Sequence, residues 1–241
     1  MKIFRLFALS MVFLTAQSVL ADDDIPTIAP TVTYIKSNGE ETDSAQYAGS
    51  APIIGRFKAN PENVGIYTAN YEWRFRKEGE EKPYLIRYEE DTEYTFTQSG
   101  LHEIVLYATF VNGNDTIPYT QDYWMEKEAF TLVISESHLE MPNAFSPNDD
   151  GTNDFYKAKR GWQSLVEFHA AIYNRWGQKL YEWDDPAGGW DGKFNGTPVK
   201  QGVYFCEVKA KGADGRKYHI RTDVNLLRGY TENENATPAG E

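Results

Sequence analysis

A single cysteine, Cys206, stands in the 241 residues, so no disulfide can form within the chain. Histidine is nearly as scarce. The four residues His102, His138, His169 and His219 lie far apart, without a His-x-x-x-His pair or a neighbouring cysteine. A zinc site of the usual spacing is therefore missing. No nucleophile elbow and no glycine-rich phosphate loop occurs, so the sequence points away from an enzyme. Past residue 21 no apolar run approaches the roughly 20 residues that a spanning helix needs, and no transmembrane segment is expected in the mature chain. Bases are outnumbered, 24 Lys and Arg against 36 Asp and Glu, for a net charge of −12. Phosphate backbones repel such a chain, and it has no basic stripe, so nucleic acid is not an expected partner. An amphipathic helical pattern of useful length is absent too.

At the N-terminus, Lys2 and Arg5 precede the apolar run Leu6–Leu14, and Val19-Leu20-Ala21 puts small residues at a cleavage site. Residues 1–21 are read as a signal peptide, which implies export. The aromatic fraction of 15% suits a chain with packed cores. After the leader come short segments of period-2 alternation: Thr31–Ile35, Pro52–Ala59, Thr68–Arg76, Tyr84–Tyr88, Thr92–Thr97, Leu101–Val111, Thr116–Tyr123 and Ala129–Glu136. Leu101–Val111 is apolar on both faces, as a central strand would be. A second set, Gln163–Asn174, Lys179–Trp183, Gly202–Lys211 and Lys217–Leu227, lies among turns rich in glycine and asparagine. Asp214-Gly215 between two such runs predicts a hairpin with positive φ at both positions.

Charge divides the chain as the pattern does. Residues 22–138 carry 21 acidic and 9 basic side chains, whereas 139–228 carry 12 and 13. The expected organisation is all-β, two antiparallel β-sandwiches in tandem, immunoglobulin-like, over 22–138 and 139–230. A disordered acidic tail is expected over 231–241. Each half is expected to be held by its own core, and residues 141–228 to fold alone.

The second half carries the distinctive motifs. Pro142, Asn143, Phe145, Ser146, Pro147, Asn148, Asp150, Gly151, Asn153 and Asp154 open it, followed by Tyr173-Asn174-Arg175-Trp176-Gly177. Trp190-Asp191-Gly192, then Gly202 and Tyr204, then Leu226-Leu227-Arg228 complete the order. Over residues 141–228 this order resembles the gliding-motility-associated C-terminal domain, the type B sorting domain of the type IX secretion system. The resemblance implies a β-sandwich on an exported protein, read by the secretion machinery at the outer membrane. The chain departs from the family at Asp149, where a glycine is usual, and in the 13 residues after Arg228.

The residues also have readings of their own. The two prolines bracket an extended entry, Gly177 permits a tight turn, and Trp190 can anchor a loop to the sheet. Asn148, Asp149, Asp150 and Asp154 place hard oxygen donors about Gly151, which suits a Ca²⁺ loop, although Asx side chains serve turn backbones equally well. Cys206 shares a face with Tyr204 and Val208 and reads as a small buried hydrophobe. In the first half, Tyr71-Glu72-Trp73-Arg74-Phe75, Tyr94-Thr95-Phe96-Thr97, Gly100 and Ile104–Phe110 resemble PKD-like immunoglobulin-fold repeats, with Arg76-Lys77-Glu78-Gly79 in place of the usual Gly-Asp-Gly. Trp73 reads as core, and Trp124, Trp162 and Trp183 as the better exposed candidates for a sugar-stacking face. The expected protein is exported, non-enzymatic and without a cofactor other than the candidate Ca²⁺. It is placed at the cell surface or outside the cell, with the periplasm as the alternative. Its expected partners are the type IX machinery or outer-membrane components. The alternative is a surface glycan- or protein-binding protein whose sorting-like domain is only a scaffold.

Overall fold

The computed structural model describes residues 25–228. The signal peptide expected over 1–21 and the tail expected over 231–241 lie outside the described residues. Strands dominate. The first group is β1 (Thr27–Ile28), β2 (Thr31–Lys36), β3 (Glu41–Asp43), β4 (Gln46–Gly49), β5 (Ile53–Lys58), β6 (Pro61–Glu62) and β7 (Thr68–Lys77). It continues with β8 (Leu85–Arg87), β9 (Thr92–Phe96), β10 (Gly100–Asn112), β11 (Asp115–Tyr119), helix α1 (Gln121–Glu126) and β12 (Phe130–Ile134). The second group is β13 (Ala144–Phe145), β14 (Leu165–Tyr173), β15 (Lys179–Trp183), β16 (Lys193–Phe194), β17 (Thr197–Pro198), β18 (Gly202–Gly212) and β19 (Lys217–Leu226).

In the first group a six-stranded sheet runs β4-β12-β10-β7-β8, with β11 also on β10, and a four-stranded sheet runs β3-β2-β5-β9. Alternation explains the layering, because successive side chains of a strand face opposite ways. Trp73 and Phe75 of β7, Ile104, Leu106 and Phe110 of β10, and Leu132 of β12 are all buried. They meet Val32, Tyr34, Ile53, Phe57 and Phe96 from the other sheet in one apolar cluster. Phe57 sits at its centre, 5.5 Å from the Trp73 ring and 5.3 Å from that of Phe75. Central β10 pairs with β7 along one edge and with β12 and β11 along the other.

The second group is a five-stranded sheet, β13-β19-β18-β14-β15, with a separate β16–β17 hairpin, and loop residues Tyr156, Ala158 and Trp190 pack into its core. Its cluster gathers Leu139, Phe145, Tyr156, Phe168, Ile172, Trp190, Val208, Val224 and Leu226. Pairing is antiparallel throughout except β4 on β12 and β13 on β19.

Two local expectations change. The strand expected over Thr116–Tyr123 ends at Tyr119, and α1 follows. Tyr123 and Trp124 pack against the first cluster from this helix, and Trp124 Nε1 donates to the Leu106 carbonyl at 2.6 Å. A six-residue helix is too short to show a 3.6-residue period. The hairpin at Asp214-Gly215 forms, but only Gly215 has positive φ, at 83°. Gly215 N–H donates to the Gly212 carbonyl, making a three-residue loop with a left-handed glycine at its end.

Candidate recognition surface

The motif residues converge at one end of the five-stranded sheet. On the inner face, Trp190 is fully buried, with Phe145 at 5.4 Å and Tyr204 at 5.1 Å between ring centres. Trp190 Nε1 donates to the Lys193 carbonyl at 2.7 Å, so the indole closes its own turn as well as the core. Asp191 Oδ1 accepts from Lys193 N–H. Gly192 follows at φ 75°, and a Cβ there would stand 3.0 Å from Pro147 Cγ and 3.1 Å from Leu226 Cδ1. Arg228 explains the crowding. Its guanidinium donates to the carbonyls of Gly192 (2.8 Å), Val199 (3.1 Å) and Pro147 (3.4 Å), tying three loops to the end of β19. The Asn143 carbonyl accepts from both the backbone and the side chain of Asn225, Ser146 is buried, and Gly202 pairs with Leu226. Pro142 lies half-buried at the entry.

The Asn148–Asp154 loop uses its oxygens on itself. Asp154 Oδ1 accepts from the N–H groups of Asn148 (3.0 Å) and Asp149 (2.7 Å), and Oδ2 from Gly151 (2.8 Å). Partial desolvation raises its carboxyl, but these backbone donors outweigh that and hold it below the ordinary range. Asp150 Oδ1 accepts from Thr152 N–H and Oδ2 from Asn148 Nδ2. Asp149 and Asn153 take left-handed φ of 62° and 54° about Gly151, and the Asn153 carbonyl accepts from Ser146 N–H. Among the described residues no group of three or more His, Cys, Asp or Glu is placed to hold a metal ion. Of the four candidate calcium ligands, the side chains of Asn148, Asp150 and Asp154 bond within the loop.

The turn between β14 and β15 is built differently. Asn174 Oδ1 accepts from Trp176 and Gln178 N–H at 3.0 Å, and Gly177 N–H donates to the Asn174 carbonyl. Gly177 reverses the chain at φ 80°. This locked turn holds Trp176 79% exposed, with the Arg175 guanidinium 5.1 Å from its ring centre. Beside it, on the open face of the sheet, Phe205 pairs with Tyr173, and Val203 and Phe205 are exposed. A groove of about 510 Å³ runs there, lined by Tyr173, Arg175, Gly177, Phe205, Arg221 and Asp223 among others. Glu207 borders it. Its carboxyl is pulled down to about 2 by hydrogen bonds from His219 and Arg221.

The exposed tryptophan is therefore Trp176, which the sequence suggested only as part of a turn. Of the three suggested as exposed, Trp183 is buried against Phe168, and Trp124 and Trp162 are half-buried. Alternation could not find Trp176, because a turn tip has no inner face. Cys206 is buried, and desolvation pushes its thiol up to about 12, out of the nucleophilic range. His169 pairs with Asp184 and His219 with Glu207, while His102 is buried in the other half.

The motif loops thus close one end of the sheet around Trp190 and Arg228 and leave one aromatic turn displayed. Residues 139–222 match the family described as the CHU_C type IX secretion signal domain. Comparison with curated proteins finds no match. Among solved structures the chain is similar to dimeric latent PorU from Porphyromonas gingivalis, at 11% identity and a TM-score of 0.24. That similarity covers 86% of this chain and 20% of the PorU chain, so the chain spans about a fifth of that protein's length. A marsupial T cell receptor is similar at 9% identity and a TM-score of 0.26, over 83% of this chain and 73% of the receptor chain. Neither likeness carries an argument about this chain.

Proposed function

We propose that this is an exported, non-enzymatic protein that the type IX machinery delivers to the cell surface, with the immunoglobulin- or PKD-like N-terminal sandwich as its interaction module. The observation that carries the reading is the match of residues 139–222 to a secretion signal domain, on a unit whose motif loops close around Trp190 and Arg228. The Trp176 turn with Arg175 and Phe205 is the surface that the secretion machinery would contact, because it is displayed although the core does not need it. Buried Cys206 and the scattered histidines support a role without catalysis.

The test follows the full-length chain in type IX-competent cells and in cells lacking the machinery, by protease accessibility on intact cells. Surface exposure in the first and periplasmic retention in the second is the expected result. Equal retention in both overturns the reading. A parallel chain ending at Arg228 shows whether Gly229–Glu241 affects delivery.

A second reading, a glycan-binding surface protein with the C-terminal unit as scaffold, has one observation in its favour. A cleft of about 740 Å³ between the halves is lined by half-buried Tyr47 and Trp162 with Lys36, Asn38 and Asp185. Aromatic faces with polar neighbours suit a sugar ring. Quenching of tryptophan fluorescence by soluble oligosaccharides, lost in Trp162→Ala, would favour it.

A further inference from the structure

The junction between the halves is packed as an interior. Ser164, fully buried and at φ 49°, is its hub. Its N–H donates to Ser50 Oγ, its Oγ accepts from Ala51 N–H at 3.2 Å and meets Ser135 Oγ at 2.8 Å, and its carbonyl accepts from Ala213 N–H at 2.8 Å. Three of these four contacts reach the N-terminal half. The β18–β19 turn makes the second set. Ala213, buried in that turn, belongs to the core cluster of the N-terminal sandwich, with Val166 packed against the same cluster. The Ala213 carbonyl accepts from Ser99 N–H at 3.0 Å.

The connecting segment is fastened as well. Ser137 donates to Asp214 through its N–H (3.1 Å) and its Oγ (2.8 Å), and its Oγ also meets Tyr218 OH at 2.9 Å. Ser135 N–H donates to the Gly49 carbonyl, and His138 and Gln163 exchange two backbone bonds. Gly212 shows how close the approach is, since a Cβ on it would clash with Ser137 Oγ. A free linker would be exposed and solvated. Here the buried Ser137 and Ser164 each bond across the junction, and an apolar residue of one half completes the other's core.

We infer that the N-terminal sandwich is the built-in docking partner of the C-terminal unit, so that the two halves unfold as one cooperative body and not as a signal domain hung on a separate passenger. The inference does not rest on the sorting role. It departs from the expectation that residues 141–228 fold alone, because that expectation counted core residues and could not see Ala213 leave its own cluster.

Hydrogen exchange and calorimetry on the full chain test it, with two variants placed on opposite sides of the junction. Ala213→Glu alters only a turn of the C-terminal unit but puts a charge into the N-terminal core. Ser50→Ala removes the acceptor of Ser164 N–H from the N-terminal side. The wild type is expected to melt in one transition, with matched protection of the slowest amides in β10 and β18. Both variants are expected to lower the melting temperature, by ~5 °C or more for Ala213→Glu, and to reduce protection in both strands together. Two transitions in the wild type, or loss of protection confined to one half, would overturn the inference. If Ala213→Glu fails to fold, Ser50→Ala decides alone.

Discussion

Glycine at 192 is required twice over, by a left-handed φ of 75° and by the Pro147 and Leu226 atoms that a side chain would meet. Gly192→Ala is expected to cost about 1–3 kcal/mol, read from the denaturant midpoint. Trp190→Ala is expected to cost about 3–5 kcal/mol, since the ring is fully buried and its N–H is satisfied inside the fold. A change under about 1 kcal/mol would show that the indole is not part of the core. In the other half His102 lies between Tyr84 OH and the Gln98 carbonyl, each 2.8 Å from a ring nitrogen. Burial holds the imidazole below its ordinary 6.5, and the Gln98 contact opposes this only in part. Below pH 6.5 the unfolded chain therefore takes up a proton that the folded chain refuses. Stability is full above that pH and declines as pH falls through it. The melting temperature is expected to drop between pH 7.5 and 5.5, and His102→Phe to remove that part of the slope.

Elements differ in how openly the sequence declares them. Strands such as β7, β10, β14, β18 and β19 run long enough for alternation to show, and each lies where the pattern puts it. Among strands of two to four residues β8 falls inside the expected Tyr84–Tyr88, whereas β1, β3, β4, β6, β13, β16 and β17 have no period to read. The parallel pairing of β4 with β12 and of β13 with β19 joins residues about 80 apart in sequence, which local pattern does not encode. Turn chemistry was legible in kind but not in consequence. The Asn148–Asp154 loop reads equally as ligand set or as Asx turn, and only the geometry shows the Asp154 oxygens occupied by backbone N–H groups. Millimolar calcium is accordingly expected to leave the melting temperature unmoved, and calorimetry to show no heat of binding. The Asn174–Gly177 turn makes the opposite kind of element, one whose fold is complete without its most prominent side chain. Trp176→Ala is expected to change stability by no more than about 0.5 kcal/mol while lowering surface delivery. A large loss of stability would return Trp176 to a structural role.

At the scale of the whole molecule the sequence shows a division that the structure bridges. Charge, motif content and the switch near Ser137 all suggest two separate bodies. Most of the bonds that join them run through serine and alanine, with Asp214 and Tyr218 meeting Ser137, and small residues have no hydrophobic period to announce an interface. This has a consequence for export that belongs to neither half alone. A signal unit cut away at residue 139 would expose apolar Ala213 and Val166 to water and would exchange the Ser50 acceptor of Ser164 N–H for solvent. A reporter fused ahead of residues 25–228 carries the docking face already covered, whereas one fused ahead of residues 139–228 presents it bare during transit. The longer fusion is expected to reach the surface of type IX-competent cells in greater yield per molecule synthesised, by protease accessibility normalised to total reporter. The same comparison with Ala213→Glu in the longer fusion should bring its yield down toward that of the shorter one. Equal delivery by both unmodified fusions would mean that the junction stabilises the folded protein without bearing on its export.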